Sequence, residues 1–183
     1  YLVRTGEKDE DPSILQVINP DAPQPEAVEG EEKPEGYSPY VEHRLELGVT
    51  AASVVHDQDH LYVANFDSDT VSVISKSGFT QEAEIPTGDG PLKLVLNRGR
   101  AWVLSHLGRS LQEVKEGGKS WPWPFEGTPD GFFTWRGRLV ITAHGEKTMS
   151  IALFDPEEGT FTRLHRMDYP FGETRFDSAN VSF

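Results

Sequence analysis

In LYVANFDSDTVSVIS, residues 61–75, two short apolar runs rich in β-branched and aromatic residues flank Asp67-Ser68-Asp69-Thr70. Runs of this length and composition around a small polar cluster predict two strands and a turn. The pattern returns in AWVLSHLGRSLQEV from Ala101 and LVITAHGEKTMSIALF from Leu139, which align without a gap through the first strand and the turn. Phe66, His106 and His144 then share one column, and Thr70, Ser110 and Thr148 another.

A strand-only repeat of about forty residues predicts an all-β propeller, since a lone sheet cannot bury both faces and must stack on its neighbours. The remaining strands of each four-stranded antiparallel blade are legible. A first strand stands in AASVVHDQDH, PLKLVLNRGR and PDGFFTWRGR, and a fourth in FTQEAEIPTG, SWPWPFEG and FTRLHRMDYP. The fourth strand forms the outer edge, where proline removes no ladder hydrogen bond, so Trp121-Pro122-Trp123-Pro124 fits there and not in a central strand. Period two puts both indoles on one face.

LYVANFDSDTVSVIS resembles the signature of the YVTN-type propeller repeats, a family that includes lactonase-like and surface-layer-associated proteins. AWVLSHLGRSLQEV lacks the asparagine of that signature, and Ala143 replaces it in the third copy. The resemblance implies the fold and an extracytoplasmic setting. It leaves function open, because propellers host hydrolases, oxidoreductases and binding scaffolds alike.

Residues 1–47 supply a second, third and fourth strand only, and SANVSF at 178–183 aligns with a first strand. With three full blades between them, this makes four blades' worth of strands in one domain or segment. Either the terminal strand pairs beside Leu2 and Val3 and closes a four-bladed ring, or the chain is part of a larger propeller. The second is preferred, four blades being the lower limit of the known range. Blade faces carrying Val54, Val95 and Phe133 would then be open to water and prone to self-association.

A net charge of −13 over 183 residues argues against nucleic acid and anionic membranes as partners. No apolar run approaches the roughly 20 residues of a membrane span. Residues 19–39, Pro- and Glu-rich, read as a long loop on the face opposite the Phe66, His106 and His144 column. The chain has no cysteine, hence no disulfide, thiol nucleophile or cysteine metal site. No signal peptide is evident; with no initiating methionine, a processed or trimmed N-terminus is expected.

Candidate chemistry is sparse. His106 and His144 end second strands in adjacent blades, beside loops where propellers bind ligands, and two imidazoles there could serve as acid and base or as metal ligands. Strand capping is the plainer role: Phe66 shows that the column needs no imidazole, and no third metal ligand is supplied nearby. His56-Asp57-Gln58-Asp59-His60 offers many ligating atoms but sits in a β-turn, which aspartate favours in its own right. Asp67-Ser68-Asp69 lacks the glycine and distal glutamate of a calcium loop. Nucleophile elbow, P-loop and dinucleotide motifs are absent, and no cofactor can be named from the residues. Trp121 and Trp123 could form a partner-binding patch or pack over the adjacent blade. The expected function is a non-enzymatic scaffold for a protein, glycan or envelope partner. The alternative is a lactonase-like or oxidoreductase enzyme with His106 and His144 at the axis.

Overall fold

A computed structural model describes residues 2–4, 11–19, 21 and 40–168. Strands β1 (Leu2–Arg4), β2 (Pro12–Ile18) and β3 (Val41–Val49) form a three-stranded sheet. Three four-stranded sheets follow: β4 (Ala51–His56), β5 (His60–Asn65), β6 (Thr70–Ser75) and β7 (Thr80–Pro86); β8 (Pro91–Asn97), β9 (Arg100–Ser105), β10 (Ser110–Glu113) and β11 (Ser120–Pro122); and β12 (Thr128–Trp135), β13 (Arg138–His144), β14 (Thr148–Asp155) and β15 (Thr160–Asp168). Each sheet is antiparallel in sequence order; in the four-stranded sheets the first and fourth strands are the two edges, and the first strands β4, β8 and β12 lie in succession against one another on the inner side. Apart from one 3-10 turn at Phe66–Ser68, the described residues contain no helix. This is the propeller that the repeat predicts, and the short edge strand β11 carries the Trp-Pro sequence.

The blades hold together through apolar layers between them. Leu15 and Leu47 of the first sheet meet Leu61, Val63 and Ile74 of the second. Ala64, Val71 and Ile85 meet Leu94, Ala101 and Val103 across the next gap. Trp102, Leu104 and Leu111 meet Leu139, Ile141 and Phe154 across the third. Strand residues of both parities are buried, because a central blade has a neighbour on each side.

Of the residues expected on open faces, Val54 is 39% and Phe133 46% exposed. Val95 is not among them. It packs against the third layer, because it pairs with the fully buried Trp102 on the side covered by the last blade. The terminal strand expected at 178–183 lies outside the described residues.

Turns set the two faces. Arg98-Gly99 and Arg136-Gly137, which join first to second strands, have φ of 52° and 72°, and of 49° and 76°. Positive φ at both positions gives the primed hairpin turn that matches strand twist. On this same face Lys76 N–H donates to Asp59 O at 2.8 Å, and the His43 ring stacks on Phe79 at 4.4 Å. The long loop is rooted here as well, where Asn19 N–H donates to Tyr40 O at 2.8 Å. Its interior, 22–39, lies outside the described residues.

Candidate functional site

The opposite face carries the loops between second and third strands. Each inner strand reaches it through one extra residue: pairing passes from Ala51 to Ser53, from Pro91 to Lys93 and from Pro129 to Gly131. Ala52, Leu92 and Asp130 are therefore bulge residues, and a bulge re-aims its side chain. In the last blade the re-aimed group is a carboxylate.

Asp130 Oδ2 meets His144 Nδ1 in a short contact, and Thr142 Oγ1 donates to Asp130 Oδ1 at 3.2 Å. Gly131 makes this possible, since a Cβ there would lie 2.1 Å from the Thr142 hydroxyl. In the neutral tautomer that donates Nδ1–H to the carboxylate, the His144 ring carries its lone pair on Nε2. His106 is placed similarly: its Nδ1 lies 2.9 Å from the carbonyl of Pro129, which can only accept. Nε2 of His106 is then also the basic nitrogen. The two rings are thus anchored on consecutive residues of one inner strand.

Phe66 completes the row. A Cβ on Gly90 would approach its ring to 3.0 Å, and the carbonyl of Gly90 accepts the His106 N–H at 2.8 Å. Asp130 and His144 are thus in contact, and His106 is held one residue away on the same inner strand, at the Pro129 carbonyl, with Phe66 against Gly90 on the entry to the neighbouring blade. Two ring nitrogens and a carboxylate can bind a polar group or exchange a proton with it. Among the described residues, no three His, Asp or Glu side chains converge as a metal site would require.

The other candidates are placed as plainly. Asp69 Oδ1 accepts the Gly90 N–H at 2.8 Å and Ser68 Oγ accepts the Val49 N–H at 2.8 Å, while Thr50 donates to Asp67, so this acidic turn braces neighbouring loops. Trp123 is only 7% exposed and packs edge-on to Phe125 and Phe161. Trp121 is half-buried, with Phe154 at 5.1 Å and Trp102 at 5.7 Å. Both indoles face the last blade and fill the third layer instead of presenting a projecting patch.

In the His56–His60 turn, Asp57 Oδ1 accepts the N–H groups of Asp59 and His60 at 2.9 and 2.7 Å, and Oδ2 accepts the Tyr62 hydroxyl at 2.9 Å. Burial acts to raise the Asp57 pKa, but these donors prevail and hold it below its usual value. Burial, the hydrogen bond to Asp57 and the charges of Asp57 and Asp59 push Tyr62 up to about 12 from 10.0. The fold therefore favours the neutral phenol. Its contribution to stability is complete below pH 10, the unfolded value, and is lost as pH rises towards 12. Denaturant unfolding across this range should show that loss in the wild type and a flatter profile in Tyr62→Phe, which at neutral pH costs about 1 kcal/mol for the missing hydrogen bond.

Sequence reasoning missed Asp130. The signal was the alignment of Pro129-Asp130 with Pro91-Leu92, where a charge replaces an apolar residue at the start of an inner strand.

No family model and no curated protein matches the chain in sequence. Solved structures do match it in fold. Hydrazine synthase of Kuenenia stuttgartiensis superposes with a TM-score of 0.58 at 21% identity over 68% of this chain and 40% of that one. The periplasmic gluconolactonase PpgL of Pseudomonas aeruginosa gives 0.58 at 15% identity over 95% of this chain and 55% of its own. The dihydro-heme d1 dehydrogenase NirN gives 0.63 at 11% identity over 91% of this chain and 37% of that one. The chain spans about half or less of the length of these proteins, and at such identities the likeness is one of fold: antiparallel propeller blades stacked face to face.

Proposed function

We propose that the chain is a binding propeller of the YVTN-repeat kind, acting outside the cytoplasm, whose loop face seats a small polar ligand or a polar group of a partner among His106, Asp130 and His144. The observation that carries this reading is the network of Thr142, Asp130 and His144. Ala52 and Leu92 at the equivalent bulges show that the fold needs no charge there, so the carboxylate and its imidazole are additions to the blade and not conditions of it. The periplasmic gluconolactonase among the structural neighbours favours the extracytoplasmic setting and suggests sugar acids and their lactones as first probes.

A second reading rests on the same contact. A carboxylate on Nδ1 holds an imidazole with Nε2 ready to take a proton, as in general-base catalysis. D-gluconate and D-glucono-δ-lactone distinguish the two. Under the binding reading, histidine NMR signals of His106 and His144 shift saturably with gluconate, and the lactone opens no faster than in buffer. His144→Ala should weaken binding about tenfold to a hundredfold, the worth of a charge-assisted hydrogen bond. Lactone opening accelerated by the wild type and lost in His144→Ala would establish the catalytic reading instead. Absence of either response would remove sugar acids and lactones as ligands of this seat.

A further inference from the structure

A second polar site stands on the opposite face, where the turns of the last two blades meet. A cleft of about 480 Å³ is lined by the side chains of the Arg98 and Arg136 turns, Trp135 and Arg138, and by Asp155, Glu157 and Glu158. That volume lies within the usual range of about 300–1,000 Å³ for ligand sites. With Arg100, the region gathers four of the ten arginines of a chain whose net charge is −13.

The cleft is built, not incidental. Gly137 has no side chain where the Arg98 guanidinium lies: a Cβ there would stand 2.3 Å from Nη2. Asn97, itself buried, donates from Nδ2 to Gly137 O at 3.0 Å and ties the two turns together. Glu157 meets Arg100 at 2.6 Å and Arg98 at 3.7 Å, and Asp155 meets Arg138 at 3.2 Å. The backbone N–H of Glu157, helped by that of Glu158 and by Arg138, keeps the Asp155 carboxyl below its usual value, so it stays an acceptor.

One guanidinium is left over. Arg136 has no carboxylate partner among the described residues; it lies 4.9 Å from the ring centre of Trp135, which is 50% exposed. A half-exposed indole, a guanidinium with no carboxylate partner among the described residues, and carboxylate acceptors at one cleft make three separate demands on a ligand. It needs an apolar ring face for the indole, an anionic group for the guanidinium, and hydroxyl donors for the acidic side chains. A hexuronic acid unit meets all three. A neutral sugar leaves Arg136 without its anion, and a small acyclic anion leaves Trp135 unused.

We infer that this cleft binds an acidic saccharide, with a uronate ring on Trp135 and its carboxylate on Arg136. The site is independent of the histidine face, and its test is arranged accordingly. Tryptophan fluorescence and calorimetry would follow digalacturonate, neutral cellobiose and citrate added to the full chain. Digalacturonate should bind saturably, at least about tenfold tighter than either control, a difference of about 1.4 kcal/mol. Trp135→Ala and Arg136→Gln, both surface changes, should each weaken it about tenfold or more with unaltered thermal unfolding. Trp135→Phe should recover part of the affinity, and His144→Ala should leave it unchanged. The inference fails if digalacturonate does not bind, if cellobiose or citrate binds as well, or if Trp135→Ala has no effect.

Discussion

Phe154→Ala should lower the unfolding free energy by about 3–5 kcal/mol, the usual cost of emptying a large aromatic site in a packed interior. Phe154 is fully buried, with ring centres of Phe161, Trp121 and Trp102 at 4.7, 5.1 and 5.8 Å. Its neighbours belong to two blades, so collapse around the cavity would have to move one sheet against the other. Interlayer packing makes such relaxation costly. Equilibrium urea unfolding monitored by tryptophan fluorescence checks the figure. A loss below about 1 kcal/mol would mean that the layer between the last two blades is not what holds them together.

Gly127→Ala should cost roughly 3 kcal/mol and also disturb the histidine face. Gly127 has φ of 80°, and a Cβ there would stand 2.8 Å from the carbonyl carbon of His144 and 2.9 Å from Gly145 N. The substitution combines a left-handed conformation that side chains avoid with overlap against backbone that cannot rotate away. Relief requires the strand end bearing His144 to shift. The expected result is a lowered melting temperature together with a change in the His144 ring signals, while Gly99→Ala, at a turn with nothing within 4 Å, alters stability only through its own positive φ of 72°.

The blades were legible because their signal is local. A β-branched run such as Val71–Ser72–Val73–Ile74 needs no distant information to be a strand, and the prolines of the Trp-Pro stretch exclude a central one. The pairing of Asp130 with His144 was hidden by a one-residue offset: alternation along β12 is broken by the bulge, and the strict period that sequence reading assumes assigns the side chain to the wrong direction. Val95 shows a related gap, since alternation tells which residues share a face but not whether another blade covers it. The arginine cleft depends on turns about forty residues apart in the chain, brought together only by the stacking of repeats.

The inner-strand bulge has a consequence for how such a surface changes. In three successive blades the same backbone irregularity holds alanine, leucine and aspartate, each half-buried, and the hydrogen-bonded ladder resumes unchanged after it. The position is an interchangeable socket: its occupant is spared the volume constraints of the interblade layers, so chemistry can be written there one blade at a time without renegotiating the scaffold. Leu92 fills the same socket in the blade that carries His106, but there the ring's Nδ1 is already held by the Pro129 carbonyl, so a carboxylate at that socket would have to compete with the next blade for its imidazole.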